Sequence, residues 1–230
     1  MISVKILVTG HRGFIGSRLT NKLYDFVGVD LKDGQNLLTC DLPKGIGVIY
    51  HLAAQSSVEP SWSDPLHDLD NIRITARLVK EYPNAKIIYA NSCASIHVSS
   101  PYGFSKWASG EYLKKFHKNY VSLVFPNIYG EGSKSVVDIF KGKSEVTIFG
   151  DGTHIRDYVH VDDLVEGLLK AQNWLIGEYF MGSGISTSVL ELAQGRAIKH
   201  APERKEDVEV VVPNTTPDWS PKINVFDYLK

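Results

Sequence analysis

The chain opens on a largely apolar run, Val4 to Val8, that ends in Thr9-Gly10-His11-Arg12-Gly13-Phe14-Ile15-Gly16, and this junction restricts the fold more than any other feature. A short run of that kind with a glycine turn at its carboxyl end reads as a parallel strand buried on both faces. Phe14, Ile15 and Leu19 then supply the apolar face of a helix. Val27 to Asp30, Val48 to Leu52, Lys86 to Ala90 and Val121 to Phe125 read as further strands, while Pro65 to Tyr82 and Tyr102 to Asn119 have helical character. Strands that alternate with helices form right-handed βαβ units, so the expected fold is α/β, a doubly wound parallel sheet.

From Gly130 onward Gly and Ser are frequent, and strands such as Val146 to Phe149 stand between turn signals like Gly150-Asp151-Gly152. This texture predicts a sheet domain over residues 1–127 and a smaller substrate-binding lobe over 128–230. Val161 to Ala171 reads as a helix, and part of 157–183 is expected to pack back on the main sheet.

Composition excludes several classes of function. With 25 Lys+Arg against 26 Asp+Glu the chain has no overall basic field for nucleic acid or an anionic membrane surface, so an anionic ligand must be held by local groups. Cys40 and Cys93 have no metal-type spacing, and 230 residues are too many for a disulfide scaffold. The N-terminal residues lack the pattern of a signal or transit segment, and no stretch approaches the ~18 apolar residues of a membrane span. A cytoplasmic protein without metal is expected.

Glycines at Gly10, Gly13 and Gly16 let backbone approach a pyrophosphate, whose charge meets the free N–H groups that open the helix. The same spacing also serves tight strand-helix packing. Asp30, at the end of the second strand, tips the balance, because a carboxylate there accepts hydrogen bonds from ribose hydroxyls and repels a 2′-phosphate; NAD is favoured over NADP. Arg12 is the opposing feature, since a guanidinium close by could accommodate that phosphate.

Tyr102 and Lys106 stand four residues apart, on one face of a helix. A neighbouring ammonium stabilises a phenolate, so Lys106 is expected to bring Tyr102 towards the range of a general base. Such pairs also arise by coincidence, and position is what singles this one out. Ser92 ends the strand Ile87-Ile88-Tyr89-Ala90-Asn91-Ser92 at the carboxyl edge of the sheet, where doubly wound folds bind ligands; its hydroxyl either shares a proton with Tyr102 or simply starts a loop.

Taken together, these residues resemble the extended short-chain dehydrogenase/reductases, in particular the NAD-dependent epimerase/dehydratase family, over almost the full length. The resemblance adds Asp41-Leu42 as adenine contacts, and Phe14, Ile15, His51-Leu52-Ala53-Ala54-Gln55, Tyr102, Lys106 and Pro126 along the cofactor. It also adds Asn71 on the helix beneath the coenzyme, with Ser56 and Asn127 near the substrate. The block Gly150 to Asp163, with Arg156-Asp157-Tyr158-Val159-His160, is its most specific part. By resemblance Arg156 and Arg204 bind a substrate diphosphate, Asp207 lies in the same late substrate element, and the partners are a nucleotide-sugar substrate and a second copy of the chain. Trp219-Ser220-Pro221-Lys222 resembles the closing segment.

The departures are trimmed connections. Ten residues lead from Ser92 to Tyr102, where the family inserts a longer loop, and Asp41 to Val48 leaves almost no room for a crossover helix. Val124 stands where the family often has arginine, and Phe180 where it often has asparagine. The family's shared first step is oxidation at sugar C4 with Tyr102 as base. Ser92 is followed by Cys93-Ala94-Ser95 rather than by the acids of a dehydratase, which favours 4-epimerisation of a UDP-sugar, the simplest outcome of that chemistry. An NADPH-dependent keto-sugar epimerase/reductase of the GDP-fucose synthase type, a dehydratase, and a non-catalytic nucleotide-binding protein stay as alternatives.

Overall fold

The computed structural model describes residues 4–202 and 211–230. The chain divides into two compact units, Met1–Val124 with Leu168–Tyr179, and Phe125–Gly167 with Phe180–Lys230. In chain order the first unit contains β1 (Lys5–Thr9), α1 (Phe14–Thr20), β2 (Val27–Val29), β3 (Ile46–His51), α2 (Val58–Ser63) and α3 (Pro65–Glu81), then β4 (Lys86–Ser92), α4 (Ala94–His97), α5 (Pro101–Phe116) and β5 (Tyr120–Phe125). In the rest of the chain follow β6 (Asn127–Tyr129), α6 (Val136–Phe140), β7 (Glu145–Phe149), β8 (Ile155–Arg156), β9 (Tyr158–His160), α7 (Val161–Ala171), β10 (Gly177–Phe180), β11 (Thr187–Ser188), α8 (Val189–Leu192), β12 (Ala197–Ala201) and α9 (Val225–Leu229).

Six strands form the central sheet in the order β10-β5-β4-β3-β1-β2. The ladders of β1 with β2, β1 with β3 and β3 with β4 are parallel, as the βαβ reading requires. Leu7, Ile49, Ile87 and Leu123 on successive strands are fully buried. The sheet reverses its winding between β1 and β3, and their carboxyl ends are where a doubly wound fold binds its ligand.

One boundary differs from the sequence reading. The strand at Lys86 runs to Ser92, the residue read as its end, whereas the helix after Tyr102 stops at Phe116, where the ring of His117 meets Ala85 O at 2.8 Å. The short helices α2 and α4 have too few turns to show a period. Between β2 and β3 no α-helix forms; a 3-10 turn at Leu31–Asp33 leads into a loop held on α3 by Arg77, whose guanidinium donates to Leu37 O (2.6 Å) and Cys40 O (2.7 Å).

Helix α5 is built inside out. Ser100 caps it, accepting from Gly103 N at 3.0 Å, and Pro101 begins its first turn. Its buried side chains are Tyr102, Ser105, Lys106, Ser109 and Leu113, whereas Phe104 and Trp107 are 45% and 44% exposed. A polar inner face and an apolar outer face reverse the usual pattern of a helix on a sheet. Leu66 and Leu69 on α3 are exposed as well.

The second unit is held by short ladders, β6 parallel with β9, β7 parallel with β12 and β8 antiparallel with β11. Its core gathers Tyr129, Phe140, Val146, Ile148, Tyr158, Leu192, Val225 and Leu229. Among the described residues no helix is long and apolar enough to cross a membrane.

Candidate active site

At the carboxyl ends of β1, β2 and β3 a cavity of about 470 Å³ is lined by Gly10, Gly13, Phe14, Ile15, Gly16, Asp30, Leu52, Ala53, Ala54, Gln55, Ser56 and Asn71. Each of these was expected from sequence, Ser56 as a substrate contact. Gly10 has φ +73°, and a Cβ on it would come within 2.8 Å of Ala53 N; one on Gly16 would meet Gly10 O at 2.1 Å. The glycines therefore bring β1 and β3 together under a cradle that side chains would fill. Gly13 opens α1 without a side-chain cap, so its first N–H groups are left for an anion. Asp30 accepts from Arg12 N and Lys32 N, both at 2.9 Å, and each oxygen keeps a lone pair for a ribose hydroxyl. The donor set fits NAD.

Behind the cavity runs a chain of buried hydrogen bonds. Ala53 N donates to Thr9 Oγ1 (3.2 Å), Thr9 Oγ1 meets His51 Nδ1 (3.0 Å), His51 Nε2 meets Thr75 Oγ1 (3.1 Å), and Thr75 donates to Asn71 O (2.8 Å). Because Thr75 spends its proton on Asn71, His51 carries its own on Nε2 and accepts at Nδ1. Burial holds its pKa down at about 3, so the imidazole stays neutral. Asn71 in turn accepts from Gln55 N (2.9 Å) and donates to Gln55 O (3.1 Å) and Ser105 Oγ (3.0 Å), fastening the cavity loop to α5.

Tyr102 and Lys106 project from α5 and are 9% and 4% exposed. Ser92 Oγ accepts from Ala94 N at 3.2 Å, which leaves its proton free to act on Tyr102, whose pKa it pulls down. The Lys106 ammonium lies 4.4 Å from the centroid of the Tyr89 ring. The electrostatics differ from the sequence expectation. Burial pushes Tyr102 up to about 12 against the pull of Ser92, and Lys106 down to about 7. Exclusion of water disfavours both charged forms, so protein groups alone leave the phenol neutral.

A carboxylate also acts on Tyr102, though not from the residues after Ser92. Asp68 on α3, 1% exposed, contributes to raising Tyr102, and its own pKa is raised by burial. Neither of its oxygens meets a hydrogen-bond donor among the described residues. Sequence reading missed it because its neighbour is a helix away.

Some expected residues stand elsewhere. Asp41 and Leu42 line a separate shallow groove with Arg77 and Tyr82, while Asn36, Leu37 and Leu38 line the dinucleotide cavity. The tight turn after the 3-10 helix, where Asn36 Oδ1 accepts from Leu38 N at 2.9 Å, brings these earlier residues there. Pro126 is buried and lines neither cavity. Arg204 and Asp207 lie outside the described residues.

In the second unit a cavity of about 500 Å³ is lined by Asn127 and Arg156, joined by Lys134, Lys143, Phe149 and Tyr158, which the sequence did not reveal. The rest of the Arg156 block fastens the chain to itself. Asp157 accepts from Ser183 N, Ser183 Oγ and Gly184 N, and Asp163 from Lys222 N (2.8 Å) and Ile223 N (2.7 Å).

A parallel sheet with a glycine cradle, an acid ending β2 and a Ser/Tyr/Lys set whose Tyr102 and Lys106 are buried defines a dinucleotide-dependent enzyme of the dehydrogenase/reductase class. The chain belongs to the NAD dependent epimerase/dehydratase family, whose profile matches residues 6–174, and NAD is its cofactor. It is 30% identical to a putative UDP-glucose 4-epimerase of Methanocaldococcus jannaschii, over 98% of this chain and 96% of that one. A UDP-glucose 4-epimerase of Thermotoga maritima, solved with UDP-glucose, superposes with a TM-score of 0.84 at 28% identity, covering 98% and 96% of the two chains. MoeE5, solved with UDP-glucose and NAD, gives 0.81 at 26% identity over 98% and 96%.

Proposed function

We propose that this chain is a UDP-sugar 4-epimerase, with Tyr102 as the base that removes and returns the proton of the sugar C4 hydroxyl. The observation that carries this reading is the burial of Tyr102 and Lys106 on one face of α5, with Ser92 close enough to act on the phenol, on the same unit as the dinucleotide cavity. NAD held by Gly10, Gly13, Gly16 and Asp30 supplies a reversible hydride acceptor and a positive charge. Tyr102 is neutral on its own, and a positive charge bound beside it would favour its phenolate. Ser92 donates to the reacting oxygen and bridges it to Tyr102. Lys106, close to neutrality, steadies the phenolate as it forms. Arg156 and Asn127 are assigned to the sugar nucleotide, Arg156 because its fork of donors matches diphosphate oxygens. Likeness to the two UDP-glucose 4-epimerases supports the choice of reaction and of nucleotide.

The exposed Leu66, Leu69, Phe104 and Trp107 on α3 and α5 support a homodimer through these helices. Cys40 and Cys93 form no disulfide, which agrees with the cytoplasm. NMR of the purified chain with UDP-, GDP- and dTDP-sugars tests the reaction. Interconversion of C4 epimers without added cofactor is expected; consumption of NADPH with a keto sugar instead would replace the epimerase reading by a reductase.

A further inference from the structure

The turn beyond β2 carries a charge arrangement that the catalytic reading leaves unused. The Arg12 guanidinium is not among the groups lining the dinucleotide cavity; its Nη1 donates to Oδ1 of Asp33. The second Asp33 oxygen lies 3.1 Å from His11 Nε2. Lys32 Nζ donates to Arg12 O at 2.9 Å, and Asp30 accepts from the backbone N–H of both Arg12 and Lys32. The His11 ring is seated over Gly28, where a Cβ would approach it to 2.5 Å. Two acids, Asp30 and Asp33, and three basic residues, His11, Arg12 and Lys32, thus interlock the glycine turn with the end of β2.

A 2′-phosphate brings close to two negative charges to the position that Asp30 guards, and its binding calls for a guanidinium that can present two donors. Arg12 has that chemistry and stands next to Asp30 through its own backbone. We propose that Asp33 sets the choice of cofactor together with Asp30: by holding Arg12 outside the cavity it withholds the guanidinium that would grip a 2′-phosphate with two donors, while Lys32, which does line the cavity, has its ammonium on Arg12 O. Asp33 is a positioning residue, since it acts through Arg12. Arg12 is half exposed, so the ion pair itself adds little to stability, and its effect is on where the guanidinium points. Loss of Asp33 also removes a negative charge from the rim.

This inference rests on NAD dependence and not on which sugar reaction follows. Isothermal titration of the full chain, stripped of the nucleotide it carries, with NAD+ and with NADP+ tests it in the wild type, Asp33→Asn, Arg12→Ala and the double variant. Asp33→Asn is expected to tighten NADP+ about tenfold, which corresponds to about 1.4 kcal/mol, and to leave NAD+ within about threefold. Adding Arg12→Ala is expected to abolish the gain. Asp33→Ser serves as a second handle, and an unchanged melting temperature shows that the fold is intact. An unchanged NADP+ affinity in Asp33→Asn and Asp33→Ser, with NAD+ binding intact, overturns the role of Asp33 alone, as does a gain that survives Arg12→Ala. A wild type that binds NADP+ as tightly as NAD+ overturns the preference itself.

Discussion

Both units bury polar side chains, but they use them differently. In the second unit Asp157 and Asp163 are 0% and 4% exposed, and their carboxylates are spent on backbone N–H groups of Ser183, Gly184, Lys222 and Ile223. In the first unit Tyr102, Lys106 and Asp68 are equally buried, yet burial drives all three away from their charged forms, and Asp68 meets no hydrogen-bond donor among the described residues. Satisfied buried groups hold a fold together, whereas strained ones mark a site whose complement is a ligand. The difference predicts that substitutions in the two units separate stability from activity.

The largest effect is expected at Tyr102. Tyr102→Phe removes the proton-transferring oxygen and nothing that the fold needs, so kcat is expected to fall by about a thousandfold or more, with NAD binding and melting temperature near the wild type. Normal turnover by this variant would remove Tyr102 from the reaction. In the second unit the expected order reverses. Asp157→Ala leaves the N–H groups of Ser183 and Gly184 without their acceptor and is expected to cost about 3 kcal/mol, read as a shift of the urea midpoint. A fully stable Asp157→Ala would show that these hydrogen bonds do not support the fold.

Much of this contrast was legible along the chain in the first unit. Glycine turn, Asp30 and Leu52 to Ser56 lie at the carboxyl ends of strands whose apolar runs are plain, so recognising the strands places the residues. Where the fold is set by a connection rather than a period, sequence failed. Asn36 to Leu38 replace Asp41-Leu42 at the cavity because the missing crossover helix tightens the turn. Asp68 escaped because helix packing, not spacing, brings it to Tyr102, and Lys134 and Lys143 because short strands and turns carry no periodic signal. The Arg156 block was recognised as a unit, yet only its geometry separates Arg156 at a cavity from Asp157 and Asp163 as fasteners.

Lys106 sharpens the comparison next. Its folded pKa, about 7, lies below the ordinary lysine value of 10.5, so the unfolded chain binds the proton more tightly. Stability from this group is present above its unfolded pKa and is lost as pH falls through the folded one. Lys106→Met keeps the stem and removes the charge. It is expected to be inactive and yet more stable than the wild type by about 1–3 kcal/mol at pH 6, with the advantage shrinking between about pH 7 and 10. Thermal melts across that range check it. A destabilised Lys106→Met at pH 6 would mean that the contact with Tyr89 outweighs burial of the ammonium.

The smallest effect belongs to the trimmed segment between Ser92 and Tyr102. Val98, at the end of α4, has φ +51° and ψ +38°, a left-handed conformation that a β-branched residue adopts only under strain. The reason is the close passage of the two helices. A Cβ on Gly103 would come within 2.5 Å of Ala94 O, so α4 lies directly on the first turn of α5 and the chain must reverse at once to reach the Ser100 cap. Val98→Gly is expected to stabilise the chain by about 1 kcal/mol, a rise in melting temperature of about 2–4 °C, because glycine takes this conformation freely. Activity decides what the strain is for. If kcat is unchanged, the strain is a by-product of the short loop. If kcat falls while the melting temperature rises, the strained turn keeps Ser92 against Tyr102, and the first unit has exchanged stability for function in its backbone as it does in its buried side chains.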